Sequence, residues 1–162
     1  MKGQHKYSLQ LKWTGNTGTG TTDYRSYTRD HTVSVENKPD LLCSSDPSFR
    51  GDNTRYNPEE LLVASLSGCH MLSYLHLSAV SGIVVIEYSD NATGTMEQTP
   101  DGGGHFTEVT LHPQIIVTDE SMIEKANELH HKANQLCFIA NSCNFPVHHK
   151  PICTVKTLSS DL

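Results

Sequence analysis

Residues 57–82 read NPEELLVASLSGCHMLSYLHLSAVSG. Asn57 is placed to accept a hydrogen bond as N-cap, Pro58 fits the first helical position, Glu59 and Glu60 complement the positive helix end, and Gly82 can close the element. The stretch therefore predicts one long helix. Between Leu61 and Ile86 there is no Asp, Glu, Lys or Arg, so its surroundings must cover it on nearly every side. The run is long enough to span a bilayer. It also holds five Ser, two Gly and two His, and a buried central helix is the better account. Cys69 lies in the middle. It is too far from the helix start for the helix dipole to activate it, so any activating cation must come from elsewhere.

The rest of the chain is read outward from this helix. Tyr7, Leu9, Leu11 and Trp13 alternate with polar residues and predict a first strand, and His31, Val33 and Val35 predict a second. The Gly/Thr/Asn-rich residues 14–22 lack the lysine of a phosphate-binding loop and read as the connection between them. Residues 37–56 read as a long surface loop whose arginines can reach a site elsewhere. After the helix, Ile83 to Tyr88 and Phe106 to Val117 are expected to pair as a hairpin through Asp101-Gly102-Gly103-Gly104, with Pro113 at an edge or bulge. Met122, Ala126, Leu129, Ala133, Leu136, Cys137 and Ala140 recur at helical spacing and predict a second helix. Val147 to Lys150 reads as a His-rich turn and Ile152 to Leu158 as a last strand. The order β-β-α-β-β-α-β predicts an α+β fold with antiparallel sheets packed around two central helices. Five short strands cannot cover a charge-free helix, so an intertwined homodimer with shared sheets is expected.

At 162 residues the chain has single-domain size, and one domain over 1–162 is expected. Eighteen acidic against 12 basic residues leave a net charge of -6 without a basic stripe, which argues against nucleic acid as partner. The polar residues 1–13 lack the apolar core of a secretion signal, and a cytoplasmic location is expected. Five cysteines, at 43, 69, 137, 143 and 153, contain no Cys-x-x-Cys pair. That is not the pattern of a secreted disulfide framework.

Asn57-Pro58-Glu59-Glu60-Leu61-Leu62, followed by small residues into Cys69, resembles the Asn-Pro-Glu-x-Leu...Cys signature of the OsmC/Ohr family of thiol-dependent organic hydroperoxide reductases. The segment from Leu136 to Ser142, with Asn144-Phe145-Pro146-Val147, resembles the second-cysteine segment of an OsmC-like branch. Here Phe138 follows the cysteine where many members have proline. The resemblance implies that Cys69 is the peroxidatic thiolate and Cys137 the resolving thiol, regenerated by an external dithiol of the lipoyl type, without a cofactor or metal. It further implies an Arg that stabilises the thiolate and is itself held by the motif glutamate, Glu59. Arg50, nine residues before Glu59, is the preferred candidate; Arg29 and Arg25 occupy the alternative, Ohr-type placement.

Glu59 and Cys69 are separated by about 15 Å along a straight helix and about 80° around it. The two cannot touch directly, so either an Arg bridges a helix bent at Ser67-Gly68 or one group comes from a partner chain. Cys143 is an additional thiol that competes for the resolving role. His76 and His130 each stand seven residues from a cysteine, on its helical face. The rival function is a non-enzymatic OsmC-like protein that binds a small apolar ligand or a metal, with Cys137, Cys143, His148 and His149 as a loose zinc set.

Overall fold

The structure is a computed structural model that describes residues 3–156. Its elements are β1 (Gln10–Trp13), β2 (His31–Ser34), β3 (Leu41–Cys43), α1 (Pro58–Val80), β4 (Val85–Asp90), β5 (Thr93–Gln98), β6 (Gly104–Leu111), β7 (Pro113–Val117), α2 (Ile123–Leu136), β8 (Val147–His149) and β9 (Ile152–Val155). They fall into two compact units, residues 1–62 and 63–162.

In the first unit β1, β2 and β3 form an antiparallel sheet in that order, with Leu11 opposite Val33 and Val33 opposite Leu41. The expected surface loop at 37–56 is more ordered than its composition predicted. It contributes β3 and a single 3-10 turn over Pro47–Phe49, started by the Asp46 side chain, which accepts from the Ser48 N–H at 2.7 Å. Arg50 closes that turn with φ of 66°. The turn is tight because a Cβ on Gly51 would collide with the Ser45 carbonyl.

Helix α1 begins and ends as its sequence dictates. Asn57 Oδ1 accepts from the Glu60 N–H at 2.8 Å while Glu60 Oε2 accepts from the Asn57 N–H at 3.1 Å, a reciprocal capping box. At the other end Gly82 adopts φ of 73°, with Ile83 N–H bonded to Ser78 O and Gly82 N–H to Ala79 O. These are the two bonds of a Schellman motif. The helix runs unbroken through Ser67 and Gly68. It is long and apolar enough to cross a membrane by length and composition, yet polar side chains tie it into the second unit: Ser67 Oγ donates to Asp90 Oδ2 at 2.5 Å. Its coverage is narrower than expected. Only Leu66, His70, Tyr74 and Ser78 are buried, a single i, i+4 stripe.

The second unit holds two mixed sheets, ordered β4-β7-β9 and β5-β6-β8. The expected hairpin is reassigned. Asp101-Gly102-Gly103-Gly104 joins β5 to β6, while β4 pairs antiparallel with β7, the 113–117 end of the segment expected to partner it, with Tyr88 opposite Ile115. β5, rich in Thr and Gly, gave no apolar alternation to detect. The extended segment 106–117 divides at His112 and serves both sheets, with Pro113 as the first residue of β7, where a missing N–H is tolerated. The 147–150 turn is instead β8, which joins β6 in parallel, as β9 joins β7, so the sheets of this unit are mixed where antiparallel sheets were expected. Parallel pairing follows because both strands return through α2, a crossover connection. The expected continuation of the last strand to Leu158 lies outside the described residues beyond 156.

The core of this unit is formed by Tyr74 from α1, Ile83, Ile115 and Val117 from the β4–β7 side, and Ala126, Leu129 and Ala133 from α2. α2 presents these at i, i+3 and i+7, the apolar face its spacing predicted. It stops at Leu136, and Cys137 is the extended residue that ends it (φ -69°, ψ 110°) rather than a residue of its last turn.

Candidate active site

Cys69 sits half-buried on α1, and Cys137 is wholly buried at the end of α2. Neither is in a disulfide, and the structure brings them near one another. Burial pushes the Cys137 thiol up to about 11, and the neighbouring Cys69 thiol adds to this. The Ala140 N–H, 3.4 Å from the Cys137 sulfur, works in the opposite direction. The Cys137 thiol is thus held in its protonated form beside Cys69.

Cys143, the competing thiol, donates to the Ile139 carbonyl at 3.4 Å, and burial raises its pKa. Cys43, in the first unit, is buried, and burial likewise outweighs the lowering effect of Arg55. Among the described residues no group of three or more His, Cys, Asp or Glu is arranged to hold a metal ion.

Behind the thiols lies a histidine cluster that sequence reasoning reached only in part. His130 was singled out by its spacing from Cys137, but its companion is His70 rather than His76, which is exposed. His70 Nε2 and His130 Nδ1 are 3.0 Å apart. The ring planes differ by 12° and the centroids are 5.3 Å apart. With so short a nitrogen contact, that separation means the rings lie end to end in one plane rather than face to face. The other contact of His130 is a true stack, on Tyr74, with centroids 4.0 Å apart. His149 approaches both histidines, at 5.7 and 6.3 Å. Burial holds His70 down to about 4, with His149 adding to it and Asp90 opposing; burial and the two other histidines hold His130 down to about 3. Both are neutral imidazoles at pH 7.

The remaining predicted residues belong to the first unit or the start of α1. Of the two adjacent glutamates, Glu60 is used by the capping box. Glu59 keeps a buried Oε2 that has no hydrogen-bond partner among the described residues. Arg50 is exposed, in a left-handed conformation. Arg29 lies between the rings of Tyr24 and Tyr27, 4.1 and 4.3 Å from their centroids, and donates to both of their carbonyls. Arg25 is exposed, and Arg55 pairs with Asp52 and Asp30 at 3.5 and 3.8 Å.

Residues 51–151 match the OsmC-like protein family, a span that contains Glu59, Cys69 and Cys137 and begins one residue after Arg50. The chain belongs to the OsmC-like family. An OsmC-like protein of unknown function from Vibrio cholerae is similar over 92% of this chain and 100% of its own, with 31% identity and a TM-score of 0.83. An organic hydroperoxide resistance protein from Elizabethkingia anophelis is 25% identical over 97% of this chain and 99% of its own, with a TM-score of 0.65. One from Legionella pneumophila, 21% identical over 95% and 100% with a TM-score of 0.65, shares the OsmC-like fold. No curated protein matches the chain.

Proposed function

We propose that this OsmC-like protein is a thiol-dependent peroxidase that reduces organic hydroperoxides to alcohols. The observation that carries the reading is the Cys69–Cys137 pair, a half-buried thiol on α1 and a buried thiol at the end of α2 that lie near one another. The Cys69 thiolate attacks the distal oxygen of ROOH. The O–O bond breaks, a proton joins the leaving alkoxide as ROH, and Cys69 becomes a sulfenic acid. Cys137 then attacks that sulfur; its proton leaves with the sulfenic hydroxyl as water, and the Cys69–Cys137 disulfide remains. An external dithiol reduces the disulfide and is itself oxidised. The absence of charged residues from α1 on either side of Cys69, from Leu61 to Val80, favours an organic over an inorganic peroxide.

In this reading an arginine supplies the cation that α1 lacks, and Glu59 holds it. The buried, unpartnered Glu59 oxygen supports this role, since such a carboxylate is costly without a charged donor. Arg50 is the preferred arginine. It is one of two non-glycine residues with positive φ among those described, a conformation that costs on the order of 1 kcal/mol and is kept where geometry demands it. Among the described residues its side chain makes no hydrogen bond or ion pair, whereas Arg29 is held against two tyrosines. A homodimer belongs to the same reading: α1 is charge-free between Leu61 and Val80 yet buried along one stripe, with Leu72 and Val80 about two-thirds exposed. The protein acts in the cytoplasm.

The test is consumption of tert-butyl or cumene hydroperoxide by the purified protein with a reduced dithiol. The wild type should turn over and Cys69→Ser should not. Full activity in Cys69→Ser would sink the mechanism, and inactivity of the wild type would favour the non-enzymatic alternative.

A further inference from the structure

We infer that the His70–His130 pair is a positioning device that aligns Cys137 with Cys69 for disulfide formation. The inference rests on reading those two cysteines as a redox pair. The imidazoles bridge α1 to α2, and the two thiols lie near one another on the same two elements. The bridge is tied to both thiols through the chain: Cys69 and His70 are consecutive on α1, and His130 stands seven residues before Cys137 on α2. Cys137 is the residue that ends α2, so its place is set by where the last turns of that helix sit.

The pair is built to define direction. A 3.0 Å bond between nearly coplanar rings constrains distance and angle together. The Tyr74 ring, one turn beyond His70 on α1, covers the face of His130 and fixes its plane. A packing role alone does not account for the arrangement. His70 and His130 are 1% and 0% exposed, and their outer nitrogens, His70 Nδ1 and His130 Nε2, have no partner among the described residues. Each end is a desolvation cost that two apolar residues of similar volume would avoid. What apolar residues would not supply is a fixed register between the helices. Disulfide formation is sensitive to that register, because the bond requires a narrow range of Cα separations and sulfur torsion angles.

The test uses glutathione and no peroxide, so it is independent of the peroxidase activity. In the exchange, the two protein thiols reduce one glutathione disulfide to two glutathione thiols and become the Cys69–Cys137 disulfide. The ratio of the glutathione forms at half-oxidation is read by alkylation and mass mapping of the 69–137 peptide. His130→Asn keeps a polar atom near the Nδ1 position and His130→Gln moves it out to the Nε2 position; His70→Gln keeps one at Nε2. The His70→Gln/His130→Asn protein should stay within about threefold of the wild type, whereas His70→Leu and His130→Gln should require about tenfold more oxidising buffer. Circular dichroism identifies any variant that fails to fold; the Asn-against-Gln comparison at 130 needs no apolar substitution. Equal half-oxidation ratios in all variants would overturn the inference, as would equal loss in the Asn and Gln variants. A wild type that fails to reduce peroxide while the variants shift this ratio would end the peroxidase reading and leave this inference standing.

Discussion

Asn57 and Glu60 cap α1 reciprocally, each side chain accepting the other's backbone N–H at 2.8 and 3.1 Å. This separates two neighbouring carboxylates by role, because Glu60 is engaged in folding while Glu59 keeps a buried oxygen without a partner. Glu60→Ala should lower stability by about 1 kcal/mol, in the range measured for lost caps, and leave hydroperoxide turnover near wild type. Glu59→Gln should do the reverse, with a small change in the urea midpoint and turnover reduced about tenfold or more, because an amide no longer anchors an arginine by charge. If Glu60→Ala is the variant that loses activity, the assignment of roles is inverted.

The two thiols of α1 and α2 predict distinct chemical traps. In Cys137→Ser the peroxidatic step proceeds and the sulfenic acid on Cys69 persists, so a dimedone adduct on the Cys69 peptide should accumulate after one equivalent of hydroperoxide. In wild type the same treatment should consume two thiols per chain and link Cys69 to Cys137. Cys143→Ser should behave as wild type, since the Cys143 thiol is turned to the Ile139 carbonyl at 3.4 Å. A disulfide linking Cys69 to Cys143 would transfer the resolving role.

The arginine is tested by the pH dependence of alkylation. Removing a cation that stabilises a thiolate raises the pH at which the thiol reacts. In Arg50→Ala, iodoacetamide modification of Cys69 should require more alkaline solution than in wild type. An unchanged profile moves the role to Arg29, whose substitution would also free the Tyr24 and Tyr27 rings that enclose it.

Both ends of α1 were legible because capping chemistry is local. Asn57, Pro58 and Gly82 act on backbone groups a few residues away, and each stands where it was expected. The apolar face of α2 was legible for a similar reason, since its i, i+3 and i+7 pattern directly states a buried stripe. The sheets were harder. β5 carries Thr, Gly, Met, Glu and Gln with all six residues exposed, so no alternation marked it, and the 106–117 segment was read as one partner of β4 when only its Pro113–Val117 part pairs there. β8 was hidden by His148 and His149, which read as a turn; its pairing with β6 is parallel and long-range, and nothing local announces it. At the site, the Cys69–Cys137 contact came from the family resemblance, whereas the His70–His130 bond joins residues 60 apart in sequence. Only the spacing of His130 from Cys137 hinted at it, and the same spacing pointed equally to His76, which is exposed.

The uncovered part of α1 predicts a dimer. A charge-free helix with Leu72 at 65% and Val80 at 67% exposure leaves apolar surface in water that a second chain would cover. Light scattering should give twice the 17.9 kDa chain mass. Leu72→Glu should shift the mass toward that of one chain, because burying the carboxylate at an apolar contact is costly. A wild-type protein that stays at the single-chain mass at micromolar concentration contradicts the homodimer.

Stability should fall on mild acidification, and the imidazole pair sets the window. His70 and His130 have folded-state values of about 4 and about 3, below the ordinary 6.5. The unfolded chain therefore binds more protons between those values, and stability rises with pH across the interval. The contribution is fully present above about pH 6.5 and is lost progressively as the pH falls toward 4 and below. The groups packed around the pair do not reverse this sign. Tyr74 on α1, Tyr88 on β4 and Cys153 on β9 are all raised by burial and stay neutral there. His149 on β8 is itself lowered and adds to the trend, while Asp90 on β4 opposes it for His70 and is the smallest influence on that residue. Between pH 7 and pH 4.5 the urea unfolding free energy should drop by on the order of 3 kcal/mol. The His70→Gln/His130→Asn protein, with no imidazole left in the pair to titrate, should lose most of that pH dependence. A double variant as acid-sensitive as the wild type would place the titrating groups elsewhere.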